Sequence, residues 1–118
     1  MNYIGIDLGG TKILGALFDE SGKILHKSKK KTKTKEGIKA VETQLFSVID
    51  ELLKANKKEE IKAIGIGVPG LVDTKTGVVK FAPNITMNNY PIGELIKNKY
   101  KLDVFVGNDV NVGVLGEW

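Results

Sequence analysis

The stretch Tyr3-Ile4-Gly5-Ile6-Asp7-Leu8-Gly9-Gly10-Thr11-Lys12-Ile13-Leu14-Gly15-Ala16-Leu17-Phe18 decides how the rest of the chain is arranged. Residues 3–8 read as a short apolar strand that ends in Gly9-Gly10, and residues 12–18 read as a second strand. The turn Asp19-Glu20-Ser21-Gly22 closes the second strand, and a third runs through Ile24 and Leu25 into a lysine-rich segment. Strands joined by short turns that contain Gly predict an antiparallel meander.

Downstream the period changes. Ile38, Val41, Leu45, Val48, Ile49 and Leu52 recur at three- and four-residue steps, which predicts an amphipathic helix of about four turns. Thr34 and Glu36 suit the N-terminal end of that helix. Ile61 to Val68 predicts a buried strand closed by Pro69-Gly70, and Asp73-Thr74-Lys75-Thr76-Gly77 predicts the turn of a small hairpin that includes Thr76 to Phe81. Pro91 opens a short helix through Ile96, in the first-turn position that proline tolerates. Val104-Phe105-Val106 is the last strand, and Asn108-Asp109 caps a final helix that reaches Trp118 without a stop signal. A meander followed by strands linked through helices predicts an α/β fold, a mixed five-stranded sheet with helices packed on it. The uncapped last helix leads us to expect further chain beyond Trp118.

Composition bounds the function. The 118 residues are one domain's worth, enough to bury roughly two-thirds of the unfolded surface. The chain is 42% hydrophobic and 27% charged, as globular domains are. No apolar run approaches the about 20 residues of a membrane helix, and Met1-Asn2-Tyr3-Ile4 leads straight into a strand, so no signal peptide and no membrane partner are expected. There is no cysteine, which excludes disulfides, thiolate metal sites and cysteine nucleophiles here and fits the cytoplasm. The net charge of +4 comes from eighteen lysines and no arginine. Arginine is the side chain best shaped for guanine edges and phosphates, so its absence argues against a nucleic-acid partner. Seven lysines fall between Lys23 and Lys35. They suit either an anionic partner or a solvated edge strand guarded against edge-to-edge pairing. The absence of interleaved aromatic residues favours the edge strand.

Four constellations carry chemistry. In Asp7-Leu8-Gly9-Gly10-Thr11-Lys12, the glycines let backbone N–H groups approach an anion, Thr11 adds a hydroxyl and Lys12 a positive charge. Asp7 could hold Mg²⁺ through water. The same residues also make a plain tight turn, and they form neither a Walker loop nor a dinucleotide fingerprint, both of which run into a helix. Gly65-Ile66-Gly67-Val68-Pro69-Gly70 brings backbone close to a packed helix or a ligand. Ala82-Pro83-Asn84, with Asn88-Asn89, offers paired donors and acceptors for sugar hydroxyls, or simply turns. In Gly107-Asn108-Asp109-Val110-Asn111, Asp109 is either a helix N-cap or a general base kept ionised by the helix dipole.

These four motifs, in this order and spacing, resemble the N-terminal half of the ROK family (repressors, open reading frames, kinases), and the likeness covers essentially the whole chain. The resemblance implies an actin-like, ribonuclease-H-like ATPase lobe, with residues 1–118 as the N-terminal lobe of a two-lobe sugar kinase. It implies transfer of the γ-phosphoryl group of ATP to a hexose hydroxyl in a glucokinase-like reaction. Asp109 matches the catalytic base, Asn108, Asn84 and Gly70 match sugar-contacting positions, and Gly9, Gly10, Thr11 and Lys12 match the first phosphate loop, with Asp7 near Mg²⁺. ATP and Mg²⁺ are the implied cofactors, zinc is expected only in the absent C-terminal lobe, and the full-length protein is expected to be a homodimer. Thr86-Met87-Asn88-Asn89 stands where family members often carry Trp, so the particular sugar stays open. The isolated chain is expected to be inactive, because half of each ligand site lies in the other lobe. A sugar-responsive repressor is the rival reading, although the first strand begins at residue 3 and leaves no room ahead of it for a helix-turn-helix. A non-catalytic sugar-binding lobe is the third.

Overall fold

The computed structural model describes residues 1–55 and 60–108. Strands β1 (Asn2–Leu8), β2 (Lys12–Phe18) and β3 (Ile24–Lys31) form the expected antiparallel meander. After α1 (Ile38–Lys54), β4 (Ile61–Val68) pairs parallel to β1. Past a small sheet and the helix described below, β8 (Asp103–Asn108) pairs parallel to β4. The main sheet therefore has the order β3-β2-β1-β4-β8, the mixed five-stranded arrangement that the period changes predict. Its two crossovers, β1 to β4 and β4 to β8, both advance toward the same edge. Right-handed connections place their helices on one face of the sheet.

The small sheet goes beyond the sequence reading. Strands β5 (Leu71–Asp73) and β6 (Val78–Ala82) form the hairpin, and a third strand, β7 (Met87–Tyr90), joins them. A short 3₁₀ turn, Pro83–Ile85, connects β6 to β7. Nothing in Met87-Asn88-Asn89-Tyr90 alternates strongly enough to announce a strand, so β7 owes its existence to pairing with β6. The hairpin turn is held by Asp73, whose carboxylate accepts the N–H groups of Lys75 (3.0 Å) and Thr76 (3.3 Å). Those bonds keep its carboxyl below the usual carboxylate range.

Two helix starts differ from expectation. Thr34 and Glu36 lie in a separate 3₁₀ turn, and Gly37, at φ 94°, precedes α1 without a side-chain cap. Pro91 sits at the cap of α2 (Ile92–Tyr100) rather than inside it, and α2 runs four residues past Ile96. The helix expected from Asn108 onward, with Asp109 and Asn111, lies outside the described residues. No helix among the described residues is long and apolar enough to cross a membrane.

The core is the seam between α1 and the sheet. Val41, Leu45, Val48, Ile49 and Leu52 are buried on one face of α1, opposite Ile4, Ile6, Leu8, Ile13, Leu17, Ile64 and Ile66. Each such side chain contributes about 1.5–3 kcal/mol on burial. Gly15 admits the closest approach: a Cβ there would lie 2.5 Å from Val48 Cγ1 and 2.9 Å from Leu52 Cδ1. Ser28, the one buried polar side chain of the described core, donates its hydroxyl to the Glu51 carboxylate of α1. One residue earlier on α1, Asp50 Oδ1 accepts the hydroxyl of Tyr100 of α2 (2.8 Å), whose ring stands edge-on to Phe46. Burial and that bond push the phenol well above its usual range.

Gly15→Ala is expected to overpack this seam and cost about 1–3 kcal/mol. Urea unfolding of the two proteins checks it.

Candidate functional site

The three parallel strands end at one edge of the sheet, and the register sets which residues meet there. Asp7 of β1 lies beside Gly67 of β4, and Gly67 lies beside Gly107 of β8. Val68 lies beside Asn108. Asp7 is half-buried, with Leu14 of β2 on its other side. Two of the three positions in this row are glycines, so the backbone beside the carboxylate carries no side chains. Carboxyl ends of parallel strands are where open α/β sheets take their ligands.

The β1–β2 turn projects from the same edge. The Gly9 N–H donates to the Lys12 carbonyl (3.1 Å), closing a tight loop over Gly10 and Thr11. Thr11 and Lys12 are exposed. Thr32, just past β3, braces the loop twice. Its hydroxyl donates to the Gly9 carbonyl (2.8 Å), and its N–H donates to the Thr11 carbonyl (3.0 Å). Sequence reasoning did not single out Thr32, because a threonine at the end of a lysine run carries no signal until the meander folds it over the turn.

Gly10 brings two of the sequence motifs into contact. A Cβ on Gly10 would lie 3.1 Å from the Asn84 carbonyl oxygen and 3.2 Å from Asn84 Cβ. The 3₁₀ turn holding Asn84 therefore rests against the glycine turn. Thr86, directly after it, adopts φ 58°, and Asn89 adopts φ 50°. Such left-handed backbone is unusual for a β-branched residue and marks this segment as held in place by its surroundings.

Gly70 has a packing role. A Cβ there would lie 2.4 Å from the Phe81 carbonyl oxygen and 2.8 Å from Ala82 Cβ. This glycine lets the end of β4 press against β6 one residue before Pro83-Asn84, so it sets the position of the Asn84 turn. Asn88 and Asn89 are exposed on β7, and Asn88 pairs with Phe81. The described residues thus bring Asp7, Gly9, Gly10, Thr11, Lys12 and Asn84 together and place the backbone of Asn108 at the same edge. Asp109 lies outside them.

A mixed sheet with a glycine turn and a carboxylate at the ends of its parallel strands is the arrangement of an α/β lobe of the actin-like class. The family model for the ROK family matches residues 3–118, and the chain belongs to that family. It is 32% identical over 117 residues to a glucokinase of Halalkalibacterium halodurans, covering 98% of this chain and 36% of that protein. It is 34% identical over 118 residues to a xylose repressor of Caldicellulosiruptor bescii, covering 98% of this chain and 30% of that protein. The ROK family glucokinase of Streptomyces griseus, solved with glucose and AMPPNP, superposes with a TM-score of 0.84 at 32% identity. That match covers 97% of this chain and 35% of the other. The fold is accordingly the actin-like ATPase lobe, and the chain spans about a third of the length of these relatives.

Replacing Thr32 by Val removes one brace of the glycine turn and is expected to cost about 1 kcal/mol. Faster hydrogen exchange at the Gly9 amide, restored by Thr32→Ser, checks it. Gly10→Ala should instead displace the Asn84 turn, seen as amide chemical-shift changes from Asn84 to Thr86.

Proposed function

We propose that this chain is the N-terminal lobe of an ATP-dependent, glucokinase-like sugar kinase. The observation that carries the reading is the contact between Gly10 and Asn84 at the carboxyl edge of the parallel strands. A turn suited to phosphate and an asparagine suited to a sugar hydroxyl stand side by side there, as transfer between the two ligands requires. The glucokinase relatives support the same reading.

Each residue then has a task. The N–H groups of Gly10 and Thr11 and the Thr11 hydroxyl receive the phosphates of ATP, Gly9 closes the turn through its bond to the Lys12 carbonyl, and the Lys12 ammonium offsets the phosphate charge. Asn84 and Asn108 hydrogen-bond the sugar, and Gly70 sets the Asn84 turn. Among the described residues no group of three or more His, Cys, Asp or Glu converges on a metal site. Asp7 is a carboxylate donor that suits Mg²⁺ held mainly by water and phosphate oxygens. When bound, Mg²⁺ neutralises charge on the phosphates. Asp109 accepts the proton of the sugar hydroxyl as it attacks. The C-terminal lobe supplies the rest of both ligand sites, so the 118-residue chain by itself is inactive.

The xylose repressor relative favours a second reading, a sugar-responsive regulator built on the same lobe. One substitution separates the two. In the protein carrying both lobes, Asp109→Asn is expected to lower kcat by about 100- to 10,000-fold while sugar affinity is largely kept. Coupled-assay kinetics and sugar titration read the two effects. A protein without kinase activity before the substitution, binding sugar equally well after it, is the outcome that sinks the kinase reading.

A further inference from the structure

The segment that follows the Asn84 turn holds a backbone conformation that its own residues disfavour. Thr86, just ahead of β7, and Asn89, inside it, are both left-handed, at φ 58° and φ 50°. Such backbone is costly for a β-branched residue and persists only where the surroundings over-determine it. β7 is also an edge of the small sheet, paired with β6 alone. The buried side chains of Ile85 and Met87 fix how deep the segment sits. Apolar burial is non-directional, so a directional contact is needed to fix how Asn84 is turned.

Tyr90, the last residue of β7, makes that contact. Its ring packs on the core from the position opposite Val79, and its hydroxyl donates to Glu42 Oε2 on α1. Glu42 lies beside Val41 at the margin of the buried face of α1, with its side chain 19% exposed. The same carboxylate has Lys39 at 3.9 Å, but that side chain is 87% exposed, and an ion pair so open to water contributes little. The phenol is therefore the partner that orients Glu42. A matching bond lies on the opposite flank of the helix, where Glu51 accepts the Ser28 hydroxyl of β3. The nine positions from Glu42 to Glu51 are about two and a half helical turns, so the two carboxylates reach to opposite sides.

We propose that Glu42 and Tyr90 are a positioning pair that holds Asn84 in its sugar-binding orientation. The proposal rests on the sugar reading of Asn84 and deepens it. The Asn84 turn lies against Gly10 on one side and continues through Thr86 into β7, whose far end the pair ties to α1. α1 in turn packs on β1 and β2, the two strands that carry the glycine turn. Tyr90 thus refers the sugar side of the site to the same frame as the phosphate side. Without the bond, Thr86 and Asn89 can relax toward right-handed backbone, and Asn84 turns with them. Neither Glu42 nor Tyr90 touches the sugar; both act through Asn84.

The test has two arms. In the protein carrying both lobes, steady-state kinetics with ATP and glucose compare Tyr90→Phe, Glu42→Leu, Glu42→Gln and a control, Ser28→Ala, which deletes the matching bond on the other flank of α1. Tyr90→Phe and Glu42→Leu are expected to raise the KM for glucose about tenfold and to leave that for ATP within about twofold. Glu42→Gln keeps an acceptor oxygen for the phenol and should stay near wild type. Tyr90→Phe combined with Glu42→Leu should be no worse than either change alone. In the 118-residue chain, Tyr90→Phe should speed amide exchange from Ile85 to Tyr90, whereas Ser28→Ala should not. An equal rise in the KM for glucose with Ser28→Ala overturns the pair, because general loosening of α1 then explains both. Glu42→Gln as damaging as Glu42→Leu overturns it too, since charge and not the hydrogen bond is then at work. A wild-type protein with both lobes that phosphorylates neither glucose nor another hexose refutes the kinase reading instead. Faster exchange in Tyr90→Phe then still shows that the pair holds the segment, and unchanged exchange overturns it.

Discussion

Strand β1 is paired along both edges. Ile4, Gly5, Ile6 and Asp7 each have a partner in β2 on one side and in β4 on the other, antiparallel and parallel respectively. Everything that follows depends on that double pairing. A strand used twice cannot slip by one residue without turning Ile4, Ile6 and Leu8 away from α1, so its register is held by fully buried side chains. With the register held, Asp7 falls beside Gly67 and the glycine turn falls at the carboxyl edge. The site is a consequence of the core, one residue further along the same strand.

Close backbone approach is the second theme, and it serves packing and site alike. Gly15 lets α1 settle onto the sheet, Gly70 lets β6 press against the end of β4, and Gly10 lets the Asn84 turn rest on the β1–β2 turn. A Cβ at any of these positions would meet a neighbour at 3.1 Å or less. At Gly70 the neighbour is backbone, which cannot swing aside as a side-chain end can. This glycine, picked out by sequence as a sugar contact, thus has a demonstrable structural role in placing Asn84. Its neighbourhood to the site is explained by that role without requiring that it touch a ligand.

The small sheet shows how local sequence and tertiary context divide the work. The β5–β6 turn is written in Asp73 and Gly77, since an aspartate that caps its own turn and a glycine at φ 73° need nothing from outside. The third strand is not written locally. Met87 is buried, Asn88 and Asn89 are exposed and Asn89 is left-handed, a pattern with no clean two-residue period. It is a strand because β6 offers it an edge, and because Tyr90 reaches back to donate its hydroxyl to Glu42 on α1.

Sequence by itself determined the order of elements, the mixed sheet, the amphipathic face of α1 and the family, because each rests on periodicity or on turn residues that act within a few positions. It also marked Asp7, Gly9, Gly10, Thr11, Lys12 and Asn84 as candidates, since glycine, hydroxyl, carboxylate and amide groups are chemically conspicuous wherever they stand. Only the tertiary structure decided that Gly10 and Asn84, seventy-four positions apart, touch, and that Thr32 braces the turn. Those contacts join residues far apart in the chain, and what brings them together is strand register, a property of how β1 is shared between its two neighbours rather than of any segment alone.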